Sequence, residues 1–145
     1  IYSAAKTPFE IRSGLEKVTR RFFKICNNGR ESFTGLYKSL TEQGICKGHQ
    51  CIAYGLYMRD NGIELSEGLA VYGYSICSAI VTNCVKLVPL SQLAGQKILG
   101  ESFELISSAS GKALSTDIND IGISGAGFDL RAMQHERLYS RQYMS

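Results

Sequence analysis

Three side chains that bind soft metals crowd into six residues, Cys46-Lys47-Gly48-His49-Gln50-Cys51. Thiolate and imidazole suit zinc or nickel. Zinc ligands usually come in two separate clusters, each pair two to four residues apart, and the only other histidine is His135. Packing of a loop against a helix is therefore the better reading of this stretch, with a small metal-binding protein using Cys46, His49 and Cys51 as the alternative. A thiol nucleophile needs an activating base and a third group to orient it. Neither histidine sits in a nucleophile motif, so no catalytic residue is expected and the chain reads as a non-enzyme. Phosphate-cradling G-x-x-x-x-G-K-[ST] and G-x-G-x-x-G stretches are absent from the sequence, and no cofactor is expected.

The second concentration of chemistry is the closing "AMQHERLYSRQYMS", where Arg137, Tyr139, Arg141 and Tyr143 alternate in the region of a chain that is hardest to keep ordered. As a helix, this segment aligns Met133, Arg137, Arg141 and Met144 on one stripe and Ala132, Glu136, Tyr139 and Tyr143 on the next. As a strand, residues 137, 139, 141 and 143 face one way. Either geometry concentrates the residue types enriched at interface hot spots. Stacking on single-stranded nucleic acid is a further option for such a pattern, but two arginines leave a thin electrostatic footprint. Helix-dipole compensation by terminal Arg is the plainest option.

The elements that must carry these residues are helical. Thr7-Pro8-Phe9-Glu10 predicts a helix start with Thr7 as cap, Pro8 at the first helical position and Glu10 reaching back to the cap amide. Ile11, Leu15, Val18, Phe22 and Ile25 form its apolar stripe, Lys17, Arg20, Arg21 and Lys24 its basic side, and Asn27-Asn28-Gly29 its stop. Shorter amphipathic helices are predicted around Phe33 to Leu40, ending at Gln43-Gly44, and around Ile52 to Tyr57, ending at Asn61-Gly62. From Glu64 to Leu87 the chain is apolar nearly all round, and Gly68 to Val85 carries no charge. A membrane span needs roughly 20 predominantly apolar residues, and this stretch includes Gly, Tyr, Ser, Thr and Asn, so a buried core helix is expected instead of a membrane element. Pro89 ends it and Ser91 caps a helix running to about Ser107. Ser107 to Gly127 holds four Gly and five Ser with little periodicity and predicts a mobile connector. Asp129 is then placed to cap a last helix. No segment alternates like a strand.

The expected fold is all-α, a bundle of about five helices, with 1–108 as helical core, 109–127 as flexible connector and 128–145 as partner-binding segment. A chain of 145 residues can bury a core without disulfides or metals. Its net charge of +3 is too mild to indicate nucleic acid, and none is expected as a partner. Five cysteines, an odd number, fit a reducing cytoplasm. Ile1 to Lys6 lacks the charged and apolar segments of a secretory leader.

"FDLRAMQHERLYSRQYMS", Phe128 to Ser145, resembles the C-terminal signature of the UreF family, Met-x-His-Glu-x-x-Tyr-Ser-Arg, supplied here by Met133, His135, Glu136, Tyr139, Ser140 and Arg141. "NGIELSEGLAVYGYSICSAIVTNCVKLVPLSQLAGQKIL" resembles the family's long apolar helix followed by Val-x-Leu-x-Pro-Leu-[Ser or Gly]-Gln-x-x-Gly-Gln, in its Helicobacter-type version, and "DINDIGISGAGFDLRAMQHE" its Asp-Asp-Ile-Gly lead-in. The family's Phe-Pro-x-Gly segment and first helices are missing, so the chain is similar to the C-terminal portion of such a protein. Many relatives carry His-His-Pro where this chain has His49-Gln50-Cys51.

The resemblance implies an all-α, cytoplasmic, non-catalytic urease maturation factor. It implies binding to UreD, called UreH in Helicobacter, then to the GTPase UreG, and, in the assembled complex, to apo-urease for nickel delivery. It also implies a homodimer at full length. Carried over by position, Arg141, Tyr139 and Ser140 are the foremost partner-contact residues, with His135, Glu136, Met133 and Tyr143 behind them.

Overall fold

A computed structural model describes residues 2–26, 29, 31–121 and 125–140. It is all-α: α1 (Tyr2–Ala5), α2 (Phe9–Ile25), α3 (Phe33–Glu42), α4 (Gln50–Asp60), α5 (Leu65–Leu87), α6 (Gln92–Glu101), α7 (Phe103–Leu114) and α8 (Ala126–His135), with a 3-10 turn at Ile118–Asp120. No strand occurs among the described residues. Among those residues eight helices replace the expected five, chiefly because the helix expected to run on to Ser107 breaks at Ser102. The Ser102 hydroxyl donates to the Leu99 carbonyl at 2.7 Å, a side-chain bond that competes with the helical ladder. The chain divides into two compact units, Ile1–Tyr57 with Asp117–Ser145, and Met58–Thr116.

The first unit is built around α2. Its buried positions are Thr19 and Phe23, one step round the helix from the expected stripe, and Val18 and Ile25 face solvent. Phe23 packs edge-on to Tyr37 of α3, ring centroids 5.8 Å apart, and both join the Ala53 methyl of α4 in the core. Phe22 stacks on Tyr54 and meets Tyr57 edge-on. Thr19 is tolerated inside because its hydroxyl donates to the Leu15 carbonyl at 2.8 Å. Ser32 caps α3, its oxygen accepting from the Gly35 amide at 2.9 Å. Gly44, with φ of 73°, lies beyond the end of α3, in the left-handed region that favours glycine.

The second unit is a three-helix arrangement in which α5 packs on both α6 and α7. Gly95 allows the α5 and α6 backbones to close up, since a Cβ there would lie 2.7 Å from Val85 Cγ2. Ser91 caps α6 as expected, accepting from the Ala94 amide at 3.1 Å, and α5 stops at Leu87, ahead of Pro89. The expectation that α5 lies buried all round fails. Gly68 is its one buried residue, and Val71, Tyr74, Ile76 and Ile80 are exposed. Two neighbours cannot cover a helix that is apolar on every side, and an open apolar groove of about 470 Å³ runs between Leu69, Gly73 and Ile76 of α5 and Leu105, Ile106 and Ala109 of α7. By length and composition α5 is also apolar enough to cross a bilayer.

Within the expected 109–127 connector, α7 continues to Leu114 and the 3-10 turn follows at Ile118–Asp120. The α8 cap position is Gly125, so Asp129, expected there, sits inside the first turn. There its charge still complements the helix dipole.

Candidate functional site

The Cys46 to Cys51 stretch is a hydrogen-bonded corner joining α3 to α4. The Tyr37 hydroxyl donates to the Lys47 carbonyl at 2.7 Å and accepts from the His49 amide at 2.9 Å, so one side chain ties down both sides of Gly48. Burial pushes the Tyr37 hydroxyl's pKa up, and the His49 amide bond partly opposes this by stabilising the phenolate. The His49 ring is 3% exposed. Its Nε2 lies 2.6 Å from Ser3 Oγ and its face meets the Tyr2 ring edge-on. Its Nδ1 has no hydrogen-bond partner among the described residues. Burial holds the His49 pKa below the usual histidine value, with the Glu16 carboxylate pulling the other way.

Cys46 Sγ faces Thr41 Oγ1 at 3.6 Å. Among the described residues no three His, Cys, Asp or Glu side chains converge to hold a metal ion. The bonds from Tyr37 to Lys47 and His49 and from Ser3 to His49 give the corner the geometry of packing between a loop and a helix.

The tail residues divide into two groups. His135 and Glu136 close α8 and turn towards α2, where His135 Nδ1 lies 2.7 Å from Glu10 Oε2 and the Glu10 amide donates to Glu136 Oε1 at 3.2 Å. The local capping box expected of Glu10 is replaced by this distant contact, because α2 starts after Pro8, which offers no side-chain cap. Tyr139 and Ser140 face away, with Tyr139 fully exposed. Met133 is 37% exposed on α8, whose Phe128 and Leu130 are also open to solvent. Neither geometry expected for the tail is seen up to Ser140: α8 ends at His135, and 136–140 continue as turn and bend. Arg141 and Tyr143 lie outside the described residues. Sequence reasoning missed Glu10, Ser3 and Tyr37 as partners of these groups, because each contact joins residues distant along the chain.

The fold defines an all-α chain in which Tyr37 and His49 tie down the loop corner between α3 and α4 and α8 exposes Phe128, Leu130 and Met133. Residues 1–102 match the UreF family model. The Urease accessory protein UreF of Streptococcus thermophilus (strain ATCC BAA-491 / LMD-9) is 34% identical over 109 residues, covering 75% of this chain and 46% of that protein. Its namesake from Paenarthrobacter aurescens (strain TC1) is 30% identical over 149 residues, covering 100% of the chain and 66% of the relative. That from Actinobacillus pleuropneumoniae serotype 3 (strain JL03) is 32% identical over 144 residues, covering 99% and 63%. The chain belongs to the UreF family. It spans about half to two thirds of the length of these relatives.

Proposed function

We propose that this chain acts in urease maturation as a non-catalytic cytoplasmic scaffold, binding UreD/UreH through its C-terminal tail and through that complex engaging the GTPase UreG for nickel delivery to apo-urease. Family membership supports the maturation role, since the relatives are urease accessory proteins. The carrying observation for the tail is the exposure of Tyr139 directly after an anchored His135-Glu136 pair. A fully exposed tyrosine next to an ordered helix end presents a large contact surface at little entropic cost. Homodimerisation at full length belongs to the same reading.

The test is co-purification, in the full-length context, with UreD/UreH and UreG. Ending the chain at Leu138 removes Tyr139, Ser140 and Arg141 and leaves the anchor intact. Loss of UreD/UreH from the pull-down, with helical circular dichroism unchanged, is expected, and Tyr139→Ala and Arg141→Ala should each weaken it. Undiminished co-purification of the shortened protein would remove the docking role of the tail.

A further inference from the structure

The N-terminus of α2 lacks a cap of its own. Pro8 occupies the cap position with an extended backbone and no side-chain acceptor, so the first-turn amides need oxygen from elsewhere. An acceptor for one of them arrives from Glu136, 126 positions along the chain. Its carboxylate meets the Glu10 amide where the helix dipole favours negative charge. One residue earlier, His135 meets the Glu10 carboxylate itself. Glu10 therefore binds both members of the His-Glu pair, one through its backbone and one through its side chain. The contact falls where α8 ends: Glu136 N–H still bonds the Ala132 carbonyl, while Arg137 and Leu138 N–H groups turn back on Gln134 and His135.

We propose that His135 and Glu136 are an internal clamp that fixes the root of the tail on the uncapped end of α2, and that they are positioning residues rather than partner contacts. The clamp gives the two halves of the tail motif different roles. The His-Glu half lies at the protein surface but bonds α2 and sets where the chain leaves α8, and the Tyr-Ser half is exposed beyond it. The role of the Tyr-Ser half rests on the docking reading above; the clamp itself does not.

Amide hydrogen exchange on the full chain, followed by UreD/UreH binding, tests both. Glu136→Ala should speed exchange of the Glu10 amide and of the α8 amides about three- to tenfold, the range set by loss of a helix cap, and should leave the amides of α4 around Ala53 unchanged. Tyr139→Ala should leave all of these rates alone. Glu10→Gln and His135→Gln should each loosen α8, and the double variant should be less than the product of the two, because one contact is lost in both. Unchanged rates in Glu136→Ala, or strictly multiplicative effects in the double variant, overturn the clamp. In the binding arm, Glu136→Ala should weaken the complex less than Tyr139→Ala does; an equal or larger loss makes Glu136 a direct contact and overturns its positioning role. If the wild-type protein fails to bind UreD/UreH, the docking reading falls, and the exchange rates still decide the clamp.

Discussion

The two units reverse the usual relation between composition and burial. Met58–Thr116 contains the most apolar helix in the chain, yet its buried residues are only Gly68, Gly95, Leu99 and Ile106. The other unit buries Thr19, Thr34 and His49 beside Phe23, Tyr37 and Ala53. Burial follows from what is available to pack against. A side chain with a high transfer free energy stays wet when no neighbouring surface exists to cover it. Thr19 enters the core with its hydroxyl bonded to the Leu15 carbonyl four residues back. One unit is thus held by interlocking rings and polar ties, the other by a few close helix crossings.

The largest effect that separates them is removal of a ring. Phe23→Ala leaves a cavity between α2, α3 and α4 and should lower the unfolding free energy by about 3–5 kcal/mol, measured by urea denaturation. Phe103→Ala is the matched change in the second unit. Phe103 stacks on Tyr74 with rings 6° from parallel but is 56% exposed, so the cost should stay below about 1.5 kcal/mol. Equal costs for the two substitutions would erase the contrast.

The same contrast explains what the sequence made legible. Stops and caps depend on local chemistry, and Ser91, Pro89, Gly44 and Gly62 act where their residue types predict. The rotational phase of α2 was missed because Phe22 and Phe23 are adjacent and equally apolar. The choice between them is made by Tyr37, Ala53 and the Gly48 corner, all distant in the chain. The α5 pattern correctly signals a helix that needs cover on every side, but periodicity carries no information on whether the neighbours are sufficient. In the tail, residue types pointed to an interface. That Glu136 bonds α2 could not be read from the local sequence, since its partner amide belongs to residue 10.

A second difference is one of protonation. His49 is buried, and burial holds its pKa below the ordinary 6.5 against the pull of the Glu16 carboxylate. In the unfolded chain it takes up a proton near pH 6.5, earlier than in the fold, so the unfolded state binds more protons as pH falls through that value. Stability should therefore be level above about pH 6.5 and decline below it, with His49→Gln reducing the slope of thermal midpoint against pH between about 7.5 and 5.5. A slope unchanged by His49→Gln would show that the buried ring is not linked to folding. Amides of α5 to α7, which carry no histidine, should show the smaller pH response in exchange measurements.

The smallest expected effect is also the sharpest test of the second unit. Val71 on α5 is 61% exposed, so Val71→Ser removes little apolar surface from a packed site and costs only a modest helix propensity. The expected change in unfolding free energy is within about 0.5 kcal/mol, as for surface positions generally. Leu99, 6% exposed on α6, provides the internal reference: Leu99→Ala should cost about 2–5 kcal/mol. If Val71→Ser approaches the Leu99→Ala cost in the full-length protein while staying near zero in this chain alone, α5 is covered by something the 145 residues do not supply. If it is near zero in both, the outward face of α5 stays in contact with solvent, and the low burial of this helix is a property of the folded protein itself.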